Sequence, residues 1–136
     1  MDKALNYLAL GRKGSLVELG EEPVGAAARA GKAYLIVVAS DAGDHSWRRA
    51  KSYAAGTQQQ CVRVKFTKDE LGMAIGRTSL AMAAFTDAAL ALAFAKALEN
   101  VQPEVLEVLD AKAKRVKSRQ KEAKAHQRNV RMGKKK

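Results

Sequence analysis

Gly31-Lys32-Ala33-Tyr34-Leu35-Ile36-Val37-Val38-Ala39-Ser40-Asp41, GKAYLIVVASD, is the stretch whose reading decides the fold. From Tyr34 to Ala39 the residues are apolar without alternation, entered from a glycine and left through a polar turn at Ser40-Asp41. A half-exposed strand would alternate. A run this short, β-branched and bounded by turn signals predicts a strand covered on both faces. Such a strand needs helices above and below it, and helical spacing flanks it on each side. The expected architecture is α/β: a three-layer α/β/α sandwich built on a four-stranded mixed sheet, plus a basic C-terminal helical extension.

Working outward toward the N-terminus, Gly31 stops a second helix whose buried stripe is Val24, Ala27 and Ala28. Pro23, behind Glu21 and Glu22, is expected at its first position, where the missing N–H costs nothing and carboxylates face the positive end of the helix dipole. Leu16 to Leu19 reads as a short strand ending at Gly20. Leu5, Leu8 and Ala9 give a first helix that stops at Gly11, followed by the basic turn Gly11-Arg12-Lys13-Gly14.

Working outward toward the C-terminus, Asp44 is expected to cap a third helix carrying Trp47, Ala50 and Ala54 on one side. Cys61 to Phe66 alternates, with Val62, Val64 and Phe66 opposed to Cys61, Arg63 and Lys65; the charges suit an edge strand. Thr67-Lys68-Asp69-Glu70 is a capping-box pattern that opens a fourth helix ending at Gly76. Leu80 to Phe85 is the last strand, and Thr86 or Asp87 caps a fifth helix.

The 136 residues carry a formal net charge of +11, and it is unevenly placed. Residues 1–100 hold 13 basic and 10 acidic residues, a net of +3, whereas residues 101–136 hold 12 and 4, a net of +8. The expected division is a domain over 1–100 and a basic helical or partly disordered tail over 101–136. Pro103 opens that tail, acidic residues crowd its start, and Val105, Leu109 and Val116 form a stripe able to dock on the domain. Beyond Val116 cations surround the axis, so this part is expected to order against a phosphate backbone. A near-neutral body with a cationic appendage calls for a polyanionic partner, nucleic acid before all.

Cys61 is the single cysteine, which excludes an intramolecular disulfide and fits a reducing compartment. No signal-peptide pattern precedes the first helix, and the apolar stretch Ala81–Ala95 is interrupted by Asp87 and too short for a bilayer. The expected localisation is cytoplasmic, with no membrane partner.

Ala30-Gly31-Lys32-Ala33, the apolar run, Ala39-Ser40-Asp41-Ala42, Thr67-Lys68-Asp69-Glu70-Leu71-Gly72 and Ala74-Ile75-Gly76, taken in order, resemble the ribosomal protein seven-Ae family, and within it the short bacterial branch. The resemblance covers about residues 4–98. It implies an α/β/α sandwich, binding to kink-turn RNA (an internal loop with sheared G·A pairs) and association with ribosomes or other ribonucleoproteins. Gly20 matches the family's glycine before the second helix. Members that bind kink-turns follow it with an Asn-Glu pair and, three residues on, a Lys, groups that read base edges. Here those places hold Glu22, Pro23 and Ala26. Glu22 still accepts from a base amino group, while Pro23 and Ala26 offer no side-chain hydrogen bond. The loop after Leu-Gly-x-Ala-x-Gly, often apolar where it covers a flipped-out base, is Arg77-Thr78-Ser79, which suits phosphate.

The expected interface is therefore Lys13, Gly20, Glu21, Glu22, Arg77, Thr78 and Ser79 on the domain, joined by Arg115, Arg119, Lys124 and Arg128 on the tail. The expected function is non-catalytic: binding of structured, kink-turn-like RNA, ribosomal or other, with ribosomal proteins as further partners. The alternative is a protein-interaction or assembly adaptor that keeps the fold without specific RNA recognition. No cofactor, metal or catalytic residue is expected. His45 and His126 are far apart, Cys61 has no identifiable base, and Asp41 has no second acid. Gly72 and Gly76 fall inside and at the end of a helix, unlike a dinucleotide loop. Trp47 reads as core, since a stacking platform wants several exposed aromatics.

Overall fold

Leu35, Ile36, Val37 and Val38 are each completely buried, each worth about 1.5–3 kcal/mol relative to exposure. They form the inner strand around which everything else packs. The structure, a computed structural model, describes residues 2–133, with side chains described for residues 2–125. In chain order the elements are α1 (Lys3–Lys13), β1 (Val17–Leu19), α2 (Glu21–Arg29), β2 (Leu35–Val38), α3 (Asp44–Ala54), β3 (Gln60–Arg63), α4 (Lys68–Ala74), β4 (Met82–Phe85), α5 (Ala88–Ala97) and α6 (Pro103–Gly133).

The four strands form one mixed sheet in the order β1-β4-β2-β3. β2 runs parallel to β3, with Leu35 opposite Gln60 and Val38 opposite Arg63. It runs antiparallel to β4, with Val38 opposite Met82, and β4 is antiparallel to β1, with Leu19 opposite Ala83. α2 packs with α3, and α1 packs with α4 and α5. The arrangement is an α/β fold compatible with the three-layer sandwich. Phe85 of β4 and Phe94 of α5 meet at 4.8 Å between ring centroids, welding helix to sheet.

Several expected boundaries are corrected, each for a local reason. α1 does not stop at Gly11 but runs on to Lys13, with Gly14 as its C-cap. Gly11 is buried where a Cβ would stand 2.7 Å from Val17 Cγ1, so the glycine serves close helix–sheet packing instead of termination. Pro23 is the third residue of α2, whose N-cap is Gly20. Backbone N–H groups throughout a first turn lack intrahelical partners, so proline is tolerated there as well as at the first position. Asp44 is the first residue of α3 and Gly43 its cap. β3 ends at Arg63 and β4 begins at Met82. Val64 and Phe66 stay buried as the chain leaves the sheet, so the alternation outlasts the ladder. The capping box holds as read: Thr67 Oγ1 accepts from the Glu70 N–H, and Glu70 Oε1 accepts from the Thr67 N–H. Asp87 caps α5 by accepting from the Leu90 N–H at 2.9 Å.

α6 divides by burial. Leu109 is fully buried in the common core, Val105 and Val116 are half-buried, and the helix packs on α5. From Lys117 through Ala125 every residue is exposed. At 1.5 Å per residue its 31 residues extend roughly 46 Å. Among the described residues no helix is long and apolar enough to cross a membrane.

Candidate nucleic-acid interface

The chain turns from β1 into α2 at Gly20, whose φ of 98° lies in the region that side chains avoid. Its N–H donates to the Met82 carbonyl at 2.9 Å, and its own carbonyl accepts from the Val24 N–H at 3.1 Å. One residue thus ties the N-terminus of α2 to the start of β4. Glu21 and Glu22 follow in the first turn, where the helix dipole favours them. Glu21 Oε2 accepts from Arg49 Nη1 at 3.4 Å, while Glu21 Oε1 is buried without a hydrogen-bond partner. Glu22, Pro23 and Ala26 are exposed.

The second segment is Arg77-Thr78-Ser79, all exposed, between α4 and β4. It is held at both ends. The Arg77 N–H donates to the Gly72 carbonyl at 2.8 Å and the Leu80 N–H to the Lys68 carbonyl at 2.9 Å. The loop lies flat against α4 because Gly72 has no side chain: a Cβ there would stand 2.7 Å from Ser79 N and 2.9 Å from the Arg77 carbonyl oxygen. The start of α4 is anchored in turn by Asp41 Oδ1, which accepts from the Lys68 N–H at 2.8 Å. Asp41 is therefore a brace between the β2 exit and α4.

Ser79 precedes Met82 by three positions, and Met82 is the residue to which Gly20 bonds. The two segments consequently share one end of the sheet, the end where β2 exits to Ser40 and Asp41. Gly20, Glu21, Glu22, Arg77, Thr78 and Ser79 are brought together there. Lys13 is not: it lies beyond the other end of β1, where the Leu16 carbonyl accepts from the Thr86 N–H. Arg115, Arg119 and Lys124 are exposed on α6. The side chains of Arg128 and His126 lie outside the described residues.

Two features escaped the sequence reading. Arg49 reaches Glu21 across 28 positions, a pairing that no local spacing signals. Trp47 packs half-buried against the core as expected, but with two cations at its ring, Lys51 Nζ 5.5 Å and Arg63 Cζ 5.2 Å from the centroid. The alternation of β3, which set Arg63 on the polar face, was the available hint. Cys61 is half-buried. Burial pushes its thiol up and the nearby Lys51 ammonium partly opposes this, the reverse of the setting that activates a nucleophilic cysteine. Among the described residues no three His, Cys, Asp or Glu side chains gather as a metal site would require.

Among solved structures, the chain is similar to a protein of unknown function from Bacillus halodurans C, with a TM-score of 0.67 and 27% identity over 71% of this chain and 97% of that one. It is also similar to the Giardia lamblia 15.5kD RNA-binding protein, with a TM-score of 0.60 and 18% identity over 80% of this chain and 86% of that one. The fold is shared with an RNA-binding protein. No family model matches the sequence, and no curated protein matches it.

Proposed function

We propose that this protein binds structured RNA of the kink-turn type without catalysing a reaction on it, as a ribosome-associated or other ribonucleoprotein component in the cytoplasm. The observation that carries the reading is the convergence of the Gly20–Glu22 turn and the Arg77–Ser79 loop at one end of the sheet, both fixed by backbone hydrogen bonds. A preset pair of segments meets a bent RNA without first having to order itself. The fold shared with an RNA-binding protein supports it.

The two segments have different chemistry. Glu22 is an acceptor for base amino groups, while Arg77, Thr78 and Ser79 are donors for phosphate. Pro23 and Ala26 leave the surface open but supply no polar side-chain group. Since a good base contact discriminates by about 1–3 kcal/mol, selectivity here rests on shape and on few base contacts. Arg115, Arg119, Lys124 and Arg128 add a sequence-independent phosphate term that falls with salt.

The test is binding of the full chain to a kink-turn duplex and to a straight duplex of equal length and base content. The reading predicts tighter binding to the kinked form at moderate salt, weakened by Arg77→Glu. Equal affinity for both duplexes would leave the adaptor reading in its place.

A further inference from the structure

We propose that the free edge of β3 receives an extended peptide segment, alternating acidic and apolar residues, as a fifth strand of the sheet. β3 is the outermost strand beside β2. The Gln60 N–H donates to the Tyr34 carbonyl at 3.2 Å and the Val64 N–H to the Val38 carbonyl at 2.9 Å. In a parallel ladder residues of that parity face the neighbour, so Cys61 and Arg63 turn their N–H and C=O groups outward. An open groove of about 610 Å³ at this edge is lined by Ser40, Trp47, residues 61–65, residues 98–102 and Val105.

The charge of the groove selects its occupant. Arg63 and Lys65 are exposed; Arg63 Nη2 donates to the Ala42 carbonyl at 3.3 Å and Lys65 Nζ stands 3.9 Å from Asp2 Oδ2, so each keeps further N–H donors for an incoming carboxylate. Glu99 is the one carboxylate among the lining residues. Opposed like charges disfavour a strand pair and opposed unlike charges favour it. A second copy of β3 would set Arg63 and Lys65 against themselves. A strand with carboxylates at alternate positions offers one to Arg63 within the ladder and one to Lys65 just beyond it, and its intervening apolar side chains suit Val62, Leu98 and Val105 of the lining. Cationic edges ordinarily protect against self-pairing; here the same cations admit an acidic strand. A single-stranded nucleic acid satisfies the charge but not the ladder. Its phosphates only accept, and its ribose and base donors do not recur at the spacing of the outward carbonyls of Cys61 and Arg63.

Trp47 is the single tryptophan of the chain, so its emission reports on the groove. The experiment titrates the full protein with a capped peptide alternating glutamate and valine, following Trp47 fluorescence and amide exchange at Cys61 and Arg63. The comparison probes are a lysine–valine peptide, the acidic peptide with alternate backbone amides methylated, and an oligouridylate. The acidic peptide is expected to give a saturable emission change and to slow exchange at Cys61 and Arg63 by about tenfold or more. The lysine–valine and methylated peptides should not, and the pair Arg63→Glu with Lys65→Glu should transfer the response to the lysine–valine peptide. Equal binding of the methylated peptide would overturn strand addition. A saturable response to the oligouridylate, without one to the acidic peptide, would reassign the groove to nucleic acid. Silence from every probe would also refute the proposal.

Discussion

The corner formed by Gly20–Glu22 and Arg77–Ser79 and the far half of α6 are both surface regions, yet they are built on opposite principles. The corner is dense in constraints. Gly20 bonds to β4, Asp41 braces α4, and Gly72 lets the loop press onto the helix behind it. Its charges nearly balance, Glu21 pairing with Arg49 while the segments also carry Glu22 and Arg77. From Lys117 onward α6 has no buried residue among those described, and residues 117–136 carry nine basic residues against one acidic. The first region is suited to selecting a shape and the second to holding any polyanion. Under the proposed function, selectivity and affinity are given to different parts of one chain, so that each can be disturbed without the other.

The largest effect on the body itself is expected from Leu109→Ala, which empties a fully buried site in α6. It should cost about 2–5 kcal/mol of unfolding free energy, read by urea denaturation, while the salt dependence of RNA binding stays unchanged. Since Leu109 belongs to the core, a cut at residue 100 would remove a core side chain, and we propose a cut after Val116 as the one that separates body from appendage. Ending the chain after Val116 should instead leave stability within about 0.5 kcal/mol. RNA affinity at low salt should drop on the order of a hundredfold, with a flatter plot of log affinity against log salt. Filter binding across a salt series checks this.

A smaller effect is expected from Gly72→Ala. The new methyl meets backbone atoms of Ser79, so the loop must shift, costing about 1–3 kcal/mol and reducing discrimination between kinked and straight RNA. Thr67→Ala removes the cap of α4 and should cost about 1 kcal/mol, with a proportionate but lesser loosening of the same loop. The smallest expected effect is that of Cys61→Ser on alkaline stability. The folded thiol titrates above its ordinary 9.0, chiefly through burial. Its contribution is present below that value and lost as the pH rises through the folded one. Parallel urea curves at pH 8 and pH 10, compared between the two proteins, should show the smaller loss in the variant.

The sheet was legible because its inner strand is written in uninterrupted apolar residues, and α4 because Thr67 and Glu70 satisfy each other across three positions. Gly11 was misread because a glycine's role depends on what approaches it, and Val17 and Leu90 reach it only after folding. Pro23 marked the first turn of α2 correctly but not the residue at which it begins. The candidate corner was half legible. Gly20 and the loop are picked out as candidates by their motifs, whereas their meeting depends on the antiparallel pairing of β1 with β4, which no short-range pattern specifies. Lys13 was grouped with them by charge alone, and the strand between separates them. Trp47 packs against the core as its alanine neighbours suggest, whereas Arg63, the cation that reaches its ring from another element, is signalled by no helical spacing.

The division of labour is tested most directly by the ratio of affinities for a kink-turn duplex and its straight counterpart, measured on the full chain and on the chain ended after Val116. The account predicts that both affinities fall together and that the ratio, in favour of the kinked form, stays the same. A ratio that collapses to one when the cationic helix is removed would contradict it.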